Sequence, residues 1–172
     1  MDDRPALRYA DCPTAEADVL VDATAEALWP LVSDIHLPAR FSEEFAGADW
    51  LDGATGAGLG ARFVGRNAHD AIGSWETVCT ISAFEPCATF EWTVGDIDHP
   101  SSAWRYTLRP EGSGTRLGMW MRMGPARSGI NMAIDSMPDK ESRILYRRLA
   151  EHRANMERTL LGIKELAESG AG

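Results

Sequence analysis

"SWETVCTISAFEPCATFEWTVGD", residues 74–96, decides the fold. Across 74–82 and again across 88–96, bulky or β-branched residues alternate with charged and small polar ones at a period of two, the pattern of strands with one face in water. "AWRYTLRP" (103–110) repeats it, and "TRLGMWMRMG" (115–124) continues it after the turn "EGSG". Charge sets the phase. If Glu76, Glu91, Arg105, Arg109, Arg116 and Arg122 face solvent, then Trp75, Thr77, Cys79, Phe90, Trp92, Val94, Trp104, Tyr106, Leu108, Leu117, Met119, Met121 and Met123 face inward. Trp120 falls on the charged side, which calls for a covering loop or a bulge.

Such an apolar face needs a cover. Residues 139–168 supply a long helix whose stripe runs Leu145, Leu149, His152, Met156, Leu160, Ile163, Ala167 at spacings of three and four. Toward the N-terminus, "DVLVDAT" (18–24) reads as a first strand, and Asp22 or Thr24 can cap a helix over "AEALWPLVSD" that Pro30 keeps short or kinked. A second short helix is expected around "ARFSEEF" (39–45), before strand residues "ADWLD". The expected architecture is α+β: a strongly curved antiparallel sheet wrapped around a long C-terminal α-helix, with two short helices after the first strand. Gly65, Gly73, Gly95 and Gly118 stand where bends or bulges would curve it. Residues 1–172 are read as one domain, with a core of about 17–168 behind a short polar extension.

"GAGLGARF" (56–63) fits the G-x-G-x-x-A spacing of dinucleotide-binding loops. That fingerprint needs a helix opening at its third position to point N–H groups at a pyrophosphate. The residues after Gly60 read instead as strand, turn, strand, so the glycines are assigned to a wide turn and no cofactor is expected.

Composition narrows the partners. A net charge of −9 argues against nucleic acid, which requires a basic footprint. The charge is uneven: residues 1–115 carry 7 basic and 19 acidic side chains, residues 116–172 carry 10 and 7. Arg143, Arg147, Arg148, Arg153 and Arg158 concentrate on the C-terminal helix, as a solvated face or as a local dock for an acidic partner. Cys12, Cys79 and Cys87 suggest neither a disulfide framework nor zinc, and the four histidines lack metal-ligand spacing. No apolar run reaches membrane-spanning length and no export signal is visible, so a soluble cytoplasmic chain without stable membrane insertion is expected.

The order of strand, two short helices, six-stranded meander and long final helix resembles the helix-grip fold of the START-like SRPBCC superfamily, and within it the polyketide cyclase/dehydrase and lipid-transport family. "VDATAEALWPLVSDI", "GLGARFVGRN", "SWETVCTISAFEPCATFEWTV", "WRYTLRPEGSGTRL" and "NMERTLLGIKELAE" carry the resemblance, which spans about residues 17–168. It implies a deep cavity between sheet and helix that takes apolar or aromatic small molecules, and it implies no particular reaction. The inward face agrees, because aromatic rings stack and methionines adapt to irregular ligands. Expected ligand contacts on the sheet are Phe63, Trp75, Thr77, Phe90, Trp92, Trp104, Met119 and Met121, although the phase of the strand over 62–67 is open. Leu149 and Met156 are expected from the helix.

Three polar residues are candidates for chemistry. His152 interrupts an apolar stripe, and both a satisfied core histidine and a ligand-contacting or proton-moving one fit that position. Tyr106 would need a partner for its hydroxyl, from the backbone or from a ligand carbonyl. Near the presumed mouth lie Asp34, His36 and Arg40, together with Asn67, His69 and Asp70. If the chain is a catalyst, aldol-type cyclisation with loss of water suits the cavity, with His152 shuttling the proton and Tyr106 or Arg40 holding the enolate oxygen. The alternatives are a carrier that stores a lipid or aromatic metabolite unchanged, and a module that recruits a protein partner through the cavity rim.

Overall fold

A computed structural model describes residues 5–170, so the first four residues of the expected polar extension lie outside the described part. Seven antiparallel strands form one sheet in the order β1-β7-β6-β5-β4-β3-β2. They are β1 (Thr14–Val21), β2 (Phe45–Trp50), β3 (Arg62–His69), β4 (Gly73–Glu85), β5 (Thr89–Gly95), β6 (Pro100–Glu111) and β7 (Gly114–Met123). Among the described residues three α-helices accompany the sheet: α1 (Ala25–Val32), α2 (Ile130–Ser136) and α3 (Glu141–Ser169).

β1 begins earlier than the expected 18–24. β7 offers it eight register positions, from Thr14 opposite Arg122 to Val21 opposite Thr115. The Thr24 side chain then caps α1, accepting the Ala27 N–H at 3.2 Å. Pro30 sits inside this eight-residue helix, which is held by the burial of Ala25, Leu28 and Val32. The second expected helix over 39–45 is corrected to a 3-10 turn at Leu37–Arg40. Ser42 Oγ accepts the N–H groups of Glu44 and Phe45 at 3.1 and 2.9 Å, which draws the chain out of helical geometry and into β2.

Sheet curvature comes from three register shifts, at Phe45/Gly47, Ile81/Ala83 and Val94/Gly95. Gly95 thus marks a bulge, with φ +84°, whereas Gly65 and Gly118 lie in unbroken register. Their glycine serves close packing instead: a Cβ on Gly118 would come within 2.8 Å of Thr107 Oγ1. Trp120 needs neither loop nor bulge. It pairs directly with Arg105 on the outer face, whose guanidinium covers the ring at 4.7 Å while bonding Glu91 at 2.6 Å. The glycine-rich segment before Arg62 is a loop that leads into β3, a strand, so the helix N-terminus a dinucleotide would need is missing there.

α3 packs mainly along β1. Leu145, His152, Met156, Leu160 and Ile163 are buried, while Leu149 and Ala167 are half-buried. At its far end Lys164 Nζ donates to Leu20 O, and Glu168 accepts the Asp22 N–H, both at 2.9 Å. Val21, Leu28, Leu108, Leu117, Leu160 and Ile163 fill that end solidly. Among the described residues no helix is long and apolar enough to cross a membrane.

Gly162 is a notch in α3 that receives the Phe41 ring; a Cβ there would lie 2.4 Å from two ring carbons. Alanine ordinarily stabilises a helix relative to glycine by about 1 kcal/mol. Here overpacking dominates, and Gly162→Ala is expected to destabilise the protein by about 2 kcal/mol in urea denaturation.

Candidate functional site

The other half of the interior is hollow. A cavity of about 580 Å³ lies between the inner face of the sheet and α3, lined on the sheet side by Phe63, Trp75, Thr77, Cys79, Phe90, Trp92, Val94, Trp104, Tyr106, Met119, Met121 and Met123. Phe45, Asn67, Ser101 and Ser102 also line it from the strands. Period-two phasing by charge thus places eleven of these sixteen, and the structure resolves the phase of β3 by turning Phe63 and Asn67 inward. Strand pairing sets the rings in rows. Phe90 pairs with Tyr106 and Trp92 with Trp104 across β5 and β6, their planes 12° and 6° from parallel. Trp92 also tilts against Phe90 and Tyr106, and Phe63 meets it edge-on, so the wall is one continuous aromatic surface.

Met156, His152, Asn155, Thr159 and Arg148 face this wall from α3. Leu149, expected to contact ligand, is not in the lining; the helix turns Arg148 inward in its place. Arg40 is also outside, with its guanidinium over the Phe41 ring at 5.6 Å. At the mouth, Ile72 and Met132 line the cavity while 52 % and 73 % exposed. Ile130 and Met132 come from α2, a seven-residue helix too short to announce itself by periodicity.

Arg148 is the main correction to the sequence reading, which placed it on an arginine-rich helix surface. Its guanidinium holds both Glu44 oxygens, at 2.6 and 2.7 Å, and reaches Glu151 at 3.2 Å, with the Arg148 and Glu44 side chains only 12 % and 11 % exposed. Burial opposes its charge, but the bonds to Glu44 and Glu151 outweigh that and raise its pKa. Arg147, Arg153 and Arg158 are also engaged, with Glu151, Glu157 and Glu43. His69, on the β3–β4 hairpin, completes the bridge at 3.4 Å from Glu151. His36 lies in a separate, shallower pocket, and Asp34 borders both.

His152 and Tyr106 are both brought to the cavity wall. His152 is 9 % exposed, meets Trp104 edge-on at 5.2 Å, and forms no hydrogen bond to a described residue. Burial, reinforced by the charges of Arg148 and His69, pushes its pKa down to about 3, so the imidazole is neutral. Tyr106 is fully buried, its hydroxyl has no protein partner among the described residues, and burial raises its pKa. Cys79, beside Thr77, is pushed up to about 12 by burial and stays a thiol. Among the described residues no three His, Cys, Asp or Glu side chains are grouped to hold a metal ion.

The lowered His152 pKa has a thermodynamic consequence. Unfolding exposes an imidazole that titrates near pH 6.5, so below that pH the unfolded state binds a proton which the folded state refuses. The His152 contribution is complete above pH 6.5 and falls by about 1.4 kcal/mol per pH unit toward pH 3. Between pH 6.5 and 5 the protein should lose about 2 kcal/mol of stability that His152→Gln does not lose, measured by urea denaturation of both proteins.

Comparisons with known proteins agree with this geometry. The family model described as polyketide cyclase / dehydrase and lipid transport matches residues 13–152. A polyketide-cyclase-like protein from Corynebacterium glutamicum is 30 % identical, with 92 % of this chain and 93 % of that one covered and a TM-score of 0.63. The Zhui aromatase/cyclase from a Streptomyces species is 16 % identical over 93 % of this chain and 96 % of that one, at a TM-score of 0.64. One half of the di-domain aromatase/cyclase StfQ of the steffimycin pathway superposes at a TM-score of 0.69, at 14 % identity, with 92 % of this chain and 51 % of that one covered. No match is found among curated proteins. The last two structures share the fold alone; the family model and the corynebacterial relative show that this chain belongs to the polyketide cyclase/dehydrase and lipid-transport family.

Proposed function

We propose that the cavity encloses one apolar, largely aromatic small molecule of polyketide-like or lipid-like character. The observation that carries this reading is the continuous aromatic wall around about 580 Å³ of unfilled space. Small-molecule sites commonly fall between about 300 and 1,000 Å³ and combine apolar walls with a few polar groups. Phe90, Trp92, Trp104 and Tyr106 present stacking faces, Met119, Met121 and Met156 adapt to ligand shape, and Thr77 and Trp75 extend the wall toward the mouth.

Catalysis of cyclisation and dehydration is the second reading, favoured by family membership and by His152 and Tyr106 sharing the cavity. In that reading the cavity acts chiefly by holding a reactive multi-carbonyl chain in one conformer. An imidazole with a pKa of about 3 is a weak base at neutral pH, so His152 serves as a hydrogen-bond partner to a carbonyl more readily than as a proton shuttle. Arg40, outside the cavity, plays no part in it.

Titration with 2-ethylnaphthalene, followed by tryptophan fluorescence, should saturate at one molecule per chain. Trp104→Ala should weaken binding about tenfold by removing one stacking face; unchanged affinity would place the ligand elsewhere. A model poly-β-ketone incubated with the protein then separates the two readings. Products that differ from those in buffer alone identify a cyclase, and identical products identify a carrier.

A further inference from the structure

The walls of the cavity are almost devoid of available charge. Among the described residues Arg148 is the one cationic side chain in the lining, and its guanidinium is committed to both oxygens of Glu44 and to Glu151. Glu44, also in the lining, is neutralised by the same contact. The remaining anionic lining residue, Asp34, sits at the solvent edge and accepts the His36 N–H at 2.9 Å. Deeper in, the ionisable groups are the His152 imidazole, the Cys79 thiol and the Tyr106 phenol, all in their neutral forms. An anion entering this space would lose its hydration and find no free cation among the described residues.

A neutral imidazole nevertheless offers one donor and one acceptor, and His152 has committed neither to a described residue. It stands at the level of Trp104, between the exposed mouth residues and the packed far end.

Resting on the binding reading above, we infer that the cavity selects an uncharged ligand carrying a carbonyl or hydroxyl group at the level of His152, and rejects carboxylates of the same shape. The selectivity resides in the Glu44–Arg148 pair, which keeps the one guanidinium of the wall occupied. Among lipid-like and aromatic molecules this favours ketones, quinones and phenols over fatty acids and aromatic acids.

Three probes of nearly equal shape test this at neutral pH: 2-acetylnaphthalene, 2-ethylnaphthalene and 2-naphthoate. The ketone is expected to bind about tenfold tighter than the ethyl compound, the worth of one hydrogen bond in a dry site. The carboxylate should bind at least about a hundredfold more weakly than the ketone, the cost of an unpaired buried charge. Glu44→Gln, which removes the anion that holds Arg148 with both oxygens and leaves the longer contact to Glu151, should raise naphthoate affinity at least about tenfold relative to that of 2-ethylnaphthalene. Naphthoate binding to the natural protein as tightly as the ketone, or an unchanged ratio in folded Glu44→Gln, overturns the inference while leaving the binding reading intact. Failure of all three probes to bind the natural protein overturns both. Should Glu44→Gln not fold, the ratio of ketone to carboxylate in the natural protein decides alone.

Discussion

One helix cannot cover seven strands. Strands about 4.8 Å apart set the outermost two roughly 29 Å from each other in a flat sheet, whereas a helix with its side chains is only about 10–12 Å across. The sheet must curl, and the bulges at Phe45/Gly47, Ile81/Ala83 and Val94/Gly95 supply the bends. Even curled, it is wider than its helix. α3 settles against β1 and fills the end marked by Leu108, Leu117, Leu160 and Ile163, which leaves the space in front of β3 to β7 hollow at the other end.

That asymmetry governs the chemistry of the cavity. On the side away from β1, α3 is tied to the rest of the fold by polar side chains: Arg148 to Glu44, Asn155 to the Glu43 N–H, Arg158 to Glu43, and Glu151 to His69. Apolar packing there would have closed the space. Ionic bridges span it at its margin and leave the interior open, and they occupy the Arg148 charge that α3 brings to the wall. The buried Arg148 guanidinium is one of the two charges that depress His152, so the closure of the cavity and the neutrality of its wall share a cause.

Most of the sheet could be read from residues 74–124, because a curved sheet with one wet face writes its phase into alternating charge. Trp120 broke the alternation for a reason that only cross-strand pairing reveals: Arg105 lies opposite it and shelters the ring. The register of β1 was set by β7 rather than by its own composition, and Ser42 ended a helix that local propensity favoured. At the site, inward-facing strand residues were legible and helix residues less so. A difference of one position on α3 exchanges Leu149 for Arg148, and the choice depends on Glu44, more than a hundred residues away in sequence. Among the described residues Arg40 has no comparable tertiary partner drawing it inward, and it rests on its neighbour Phe41.

The methionines allow the most direct measurement. Four of the seven, Met119, Met121, Met123 and Met156, are buried against the cavity, whereas Met137 is exposed and absent from its lining. Methyl NMR of methionine-labelled protein during titration with 2-acetylnaphthalene should shift those four resonances together, through the ring current of the bound aromatic, and saturate at one molecule per chain. Shifts at Met137 without shifts at the four buried methyls, or no saturable change, would contradict the account of a ligand enclosed between sheet and helix.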